Sequence, residues 1–143
     1  MIKDRIKILK SYFSKHNIDG YIIPKNDEFF SEYSEKDRLK TISNFSGSAG
    51  YAIILKNRNY LFVDGRYTIQ AQIESGKYFK IVQYEKIVNC KLFKNLKLGI
   101  DPKLFTSLQV KKFFSKYNSV KKIKINLIDQ IFNNYSIKKE PFF

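Results

Sequence analysis

Cysteine and histidine are nearly missing from this chain of 143 residues, which has Cys90 and His16 and no other of either kind. A single thiol excludes an intramolecular disulfide and suits a reducing compartment. The two residues fall short of the donors a zinc site needs, and nothing in the pattern joins them as nucleophile and base. Cys90 is therefore read as a buried or half-buried structural thiol. Long hydrophobic runs are lacking too. No stretch nears the roughly 20 apolar residues that span a bilayer. The opening residues, MIKDRIKILKSYF, alternate charge with apolar side chains instead of building a signal-peptide core. The expectation is a soluble, cytoplasmic protein with no membrane partner.

Negative charge is the third shortage: 13 acidic side chains face 27 lysines and arginines, for a net charge of +14. A domain this basic raises the question of nucleic acid. The texture of the charge argues against it. Arginine occurs only as Arg5, Arg38, Arg58 and Arg66, and the lysines are spread over nearly every expected element. Phosphate readers favour the planar fork of arginine and concentrate charge on one face. Abundant Ile, Asn, Phe and Tyr fit a bias toward A/T-rich codons, and the aromatic residues fall mostly at core spacing. A basic module that binds RNA or DNA is the alternative reading. A nuclease holding magnesium on Asp19, Asp64 and Asp101 ranks last, because the sequence shows no denser acidic cluster.

The length and a 43% hydrophobic content provide for one compact domain. Apolar residues three and four apart predict an amphipathic helix over Ile2–His16, ended by Asn17–Gly20. Tyr21–Ile23 reads as a short buried strand stopped by Pro24, Lys25–Glu35 as a polar loop, and Lys36–Ser43 as a short helix. Strands are expected at Tyr51–Leu55 and Tyr60–Val63, joined by a turn at Lys56–Asn59. A helix over Gly65–Ser75 places Tyr67, Ala71 and Ile69 toward the sheet, and Gly76 stops it. Tyr78–Tyr84 follows as a strand and Glu85–Asn95 as a helix with Ile87, Val88 and Leu92 inward. A strand at Leu98–Ile100 leads to Asp101-Pro102. Thr106 caps a helix over Ser107–Lys116, Val120–Ile125 is a half-exposed strand, and Leu127–Phe132 is a last short helix. This alternation predicts an α/β domain with a mixed sheet of five or six strands, including a β-hairpin, flanked by helices.

The chemistry-bearing residues concentrate between Phe45 and Gln72. Gly47-Ser48-Ala49-Gly50 feeds the first hairpin strand, and Asp64-Gly65-Arg66-Tyr67 leaves the second. Asp64 can accept hydrogen bonds from amides of the next helical turn, with Gly65 easing the change of direction. Gly47 and Gly50 are expected to permit backbone conformations that a side chain would block. The Gly47–Gly50 loop precedes a strand and not a helix, so a phosphate cradle there is a weak reading.

At DGYIIP, SEY, FSGSAG, DGRYTIQA, LGIDP and NLIDQIF, in that order, the chain resembles the N-terminal domain of the Xaa-Pro aminopeptidases, in the creatinase, prolidase and aminopeptidase P group. The resemblance covers Ile2 to about Tyr135. It implies a creatinase N-terminal fold with ribonuclease H-like topology over residues 1–135, and a linker, 136–143, toward a second domain absent from this chain. In that family two divalent metals, commonly manganese, sit in a separate C-terminal catalytic domain on two aspartates, a histidine and two glutamates. This chain is then expected to hold no metal or other cofactor and to catalyse nothing by itself. Its partners would be the catalytic domain and, in assembly, further copies. On that footing the face carrying Ser48, Asp64, Arg66 and Tyr67 is expected to turn toward the enzyme body. Arg66 there either pairs with a carboxylate of substrate or protein, or locks the turn through Asp64 or Glu32. Glu32 and Tyr33 are expected to fold over the hairpin, Glu32 accepting backbone amides and Tyr33 packed.

Overall fold

Tyr21 and Ile23 side with one face of their strand and Ile22 with the other, and all three are buried, so that strand is covered on both sides. In the computed structural model, which describes residues 2–25, 38–47, 50–87 and 92–131, it lies inside a six-stranded sheet. The strands are β1 (Gly20–Pro24), β2 (Gly50–Leu55), β3 (Asn59–Val63), β4 (Lys80–Gln83), β5 (Lys97–Ile100) and β6 (Ser119–Lys122). Their order is β4-β3-β2-β1-β5-β6. β2 pairs antiparallel with β1 and β3, and the other neighbours are parallel, so β2 alone runs against the rest. Pairs such as Pro24 with Tyr51 and Gly50 with Val63 fix the register. A slip of one residue would exchange the two buried faces of a central strand such as β1, β2 or β3.

Helices cover one face: α1 (Ile2–Ser11), α2 (Phe13–His16), α3 (Arg38–Ser43), α4 (Thr68–Ser75) and the helical residues 127–131, where the sequence predicts its last short helix. Ile6, Leu9, Phe13, Leu39, Ile42 and Ala71 descend from this layer onto Ala52, Ile54, Leu61 and Val63. The opposite face is covered by α5 (Ser107–Phe113), a 3-10 turn at Tyr84–Ile87 and the irregular stretches carrying Phe93, Leu104 and Phe105. Thr106 caps α5, as the sequence predicts, and does so through a capping box with Gln109; the helix ends at Phe113, short of the expected Lys116.

Several expectations are corrected. The first helix is broken at Tyr12, whose amide bonds to Leu9 O three residues back, and α2 ends on Asn17 in the left-handed region at φ 55°. Ile69 points away from the sheet and is 77% exposed. The strand expected from Tyr78 is confined to Lys80–Gln83, because residues 76–78 form a turn. Of the expected Glu85–Asn95 helix, residues 85–87 belong instead to the 3-10 turn. Beyond residues 88–91, which lie outside the described set, the chain is irregular. Residues 92, 93 and 95 form bends, Asn95 lies at φ 60°, and the side chain of Asn118 accepts from the Leu96 amide. Leu92 is exposed, and Phe93 takes the inward place. Last, β6 stops at Lys122, with Ile123 buried and Ile125 exposed.

Candidate functional site

With β2 alone reversed, the carboxyl ends of β1, β3 and β5 and the start of β2 share one edge of the sheet. Gly47, Gly50, Asp64 and Asp101 therefore gather at that end, where open α/β sheets ordinarily place their sites. The groups are not all within reach of one another. β3 and β5 are three strand spacings apart, about 14 Å.

Asp64 closes β3 and caps the next turn: its Oδ1 accepts from the Arg66 amide at 2.9 Å and from Arg66 Nε at 3.2 Å. The amide bond, then the guanidinium bond, hold the Asp64 carboxyl below the usual carboxylate range. Arg66 lies over the Tyr67 ring at 5.5 Å, and Tyr67 meets Phe45 edge-on at 6.1 Å. A chain of contacts thus runs from the core through Phe45 and Tyr67 to Arg66 and Asp64. The arginine side chain is nevertheless 78% exposed. Solvent screens an exposed pair of this kind, so Asp64 orients the guanidinium without sequestering it. Asp64, Arg66 and Tyr67 are thus in mutual contact, the Tyr67 amide also bonding to Asp64 O at 2.9 Å. Ser48, Glu32 and Tyr33 lie outside the described residues, as does Cys90.

The glycines work by close approach and not by backbone freedom, since no described glycine has a positive φ. A Cβ on Gly47 would sit 2.2 Å from the Phe45 ring, and one on Gly50 would sit 2.9 Å from Phe62 O. Gly65 has nothing within 4 Å of such a position, so the expected easing of the turn is not a requirement there.

A polar network beside this turn was not anticipated. Glu74 accepts from the Ser46 amide at 3.0 Å and from Ser46 Oγ at 2.8 Å, and Gln70 Nε2 bonds to both residues. Burial pulls the Glu74 carboxyl upward, but hydrogen bonds from Ser46 and Gln70 and the charge of Lys40 leave it lowered overall. Ser75 Oγ donates to Ser43 O at 2.6 Å, so α4 is tied to the end of α3 as well as to the strand-entry loop. The four-residue spacing of Gln70 and Glu74 was the available signal.

The described residues do not fit a metal. Among the described residues no group of three or more His, Cys, Asp or Glu is placed to hold one. Asp19 lies at the amino end of β1, opposite the Asp64 edge, and accepts from the Lys97 amide at 2.9 Å. Asp101 is buried and accepts from Asn126 Nδ2 and the Lys103 amide, each at 2.9 Å. His16 ends α2, its imidazole held below its ordinary value by burial and by Lys15 and Lys121. The aspartates cap and latch, and no magnesium nuclease can be built from them. No helix among the described residues is long and apolar enough to cross a membrane.

Fold and site together define an α/β domain with a mixed sheet, whose polar edge is built for packing and capping. Residues 5–130 match the Creatinase/Prolidase N-terminal domain, and the chain belongs to that family. It is 30% identical over 142 residues to a probable Xaa-Pro aminopeptidase P of Laccaria bicolor, covering 90% of this chain and 22% of the relative. Xaa-Pro aminopeptidase 1 of Dictyostelium discoideum is 31% identical over 159 residues, covering 97% and 25%. The chain thus spans about a quarter or less of these relatives. Among solved structures, an X-prolyl aminopeptidase of Caenorhabditis elegans, described as a cytosolic enzyme with a di-nuclear active site, superposes with a TM-score of 0.79. That match is 24% identical and covers 94% of this chain and 26% of that one. The N-terminal domain of the cytoplasmic peptidase PepQ of Mycobacterium tuberculosis has a TM-score of 0.66 at 17% identity, covering 90% and 98%.

Proposed function

We propose that residues 1–135 act as the non-catalytic N-terminal domain of an Xaa-Pro aminopeptidase, with 136–143 as a linker. The domain shapes access to a cytoplasmic active site and supports assembly. The metal-dependent release of an N-terminal residue before proline falls to a catalytic domain with two divalent metals, manganese by family precedent, and none of that chemistry to this chain. One observation carries the reading: an N-terminal domain match takes up residues 5–130, nearly the whole sequence, while the relatives extend far beyond it. Within that role Arg66 is the residue to watch. Its guanidinium is oriented by Asp64, backed by Tyr67 and largely exposed, so its outer edge can receive a carboxylate of a peptide or of the enzyme body.

The test joins this chain to the catalytic segment of the Laccaria bicolor relative and replaces Arg66 by Ala. Turnover of a proline-containing tripeptide is expected to fall about tenfold with the melting temperature little changed, as for loss of one charge-assisted contact of roughly 1.5 kcal/mol. Unchanged turnover and unchanged melting would remove Arg66 from the function.

A further inference from the structure

Ile69 and Ile73 are 77% and 80% exposed, four residues apart on one face of α4. Among the described residues the other large exposed apolar side chains, Leu92, Leu108 and Ile125, stand singly on other elements. Scattered single residues need no explanation, whereas a paired, β-branched apolar row on a helix is a feature of surfaces that become covered. The row has company. Arg66 precedes it by three residues, Gln72 lies between, and Lys77 follows by four, all exposed, and none is acidic. Glu74, the acidic residue of this helix, turns instead to Ser46. The row therefore reads cation, isoleucine, isoleucine, cation.

We infer that this face of α4 is a docking surface, and that its occupant is the catalytic segment of an aminopeptidase P-type enzyme, presenting an apolar hollow rimmed by carboxylates. This rests on the proposed function. Charge selects the occupant. A second copy placed symmetrically on the row would bring together two bodies each of net charge +14, and Asp64, the carboxylate beside the row, is already engaged by Arg66. An acidic rim meets the same cations favourably. The relatives supply a candidate of the right size, since the matched segment is 22% of the Laccaria bicolor polypeptide. The row also begins at Arg66, so one contact would seat α4 and aim the guanidinium along the same boundary.

The experiment compares the isolated chain with a chimera in which it replaces the matching segment of the Laccaria bicolor relative, using amide hydrogen exchange and thermal melting. Expected in the chimera is at least a tenfold slowing of exchange across residues 68–75. The double replacement Ile69→Gln, Ile73→Gln should abolish it and lower the chimera's melting temperature. In the isolated chain the same replacement should shift melting by no more than about 2 °C, because both side chains are solvated there. A chimera that is active and melts as one unit, yet exchanges at α4 as fast as the isolated chain, overturns the docking surface and leaves the proposed function intact. Two parts that melt independently without peptidase activity overturn both. An isolated chain that is dimeric, and becomes monomeric on the double replacement, overturns the occupant in favour of a second copy.

Discussion

A methyl group on Gly47 would meet a phenyl ring that has no room to retreat: Phe45 is fully buried and also carries the edge-on contact with Tyr67. Gly65 is the opposite case, with open space where its Cβ would be and no left-handed backbone. These two positions belong to similar-looking turn motifs and should respond in opposite ways. Gly47→Ala should destabilise the chain by about 1–3 kcal/mol through overpacking. Gly65→Ala should be neutral or stabilising by up to about 1 kcal/mol, by narrowing the unfolded ensemble. Urea unfolding of both variants decides the matter, and equal losses would show that flexibility and not space is what the glycines supply. Sequence alone presents both as turn glycines, because it shows neither the ring above Gly47 nor the solvent around Gly65.

Between elements, side chains from the later part of the chain fasten those of the earlier part. Arg38 of α3, 2% exposed, forms a two-pronged pair with Asp129, Nε to Oδ1 at 3.0 Å and a terminal nitrogen to Oδ2 at 2.9 Å. Asn126 reaches Asp101 at the end of β5 and accepts from the amides of Ile128 and Asp129, capping the turn at residues 127–131. A geometry with one partner buried is worth more than a surface pair. Asp129→Ala is expected to cost about 2 kcal/mol, with part recovered when Arg38→Met is added, since an apolar replacement avoids burying the guanidinium. A double-mutant cycle in urea with coupling below about 0.5 kcal/mol would reduce the pair to a surface contact. Such ties explain what was legible beforehand. The hairpin strands emerged within one residue at each described end, because fully apolar runs around a polar turn have few alternatives. Asp64 announced itself as a cap by preceding glycine at a strand end. The Glu85–Asn95 helix failed because Ile87, Val88 and Leu92 carry helical spacing without a cap, and long-range contacts from Asn118 and the Phe93 pocket outweighed that local pattern. Arg38 with Asp129, 91 residues apart, and Ser46 with Glu74 could not be paired from sequence, since strand order decides which distant residues meet.

For the whole molecule the governing quantity is charge. Every lysine in the described residues is at least partly exposed, from Lys3 and Lys7 on α1 through Lys56 in the hairpin turn to Lys111 and Lys112 on α5 and Lys121 and Lys122 on β6. These elements lie on both faces of the sheet and, with Lys80 on β4, at both its margins, so the positive field surrounds the domain instead of forming one groove. A polyanion would then touch only a few lysines at once, in many interchangeable orientations. Mixed-sequence duplex DNA is expected to bind at about 20 mM salt and to be released by about 150 mM, where the screening length is about 8 Å. Any single Lys→Gln change should lower the salt slope by no more than about one unit and should do so similarly at Lys7, Lys112 and Lys122. Retardation assays across salt measure both quantities. Binding that persists at 150 mM, with one of these lysines dominating the slope, would mean that the charge is organised after all and would revive the nucleic-acid reading. Uniform, salt-labile binding leaves α4, with its apolar row between two cations, as the place where this broadly basic surface acquires a direction.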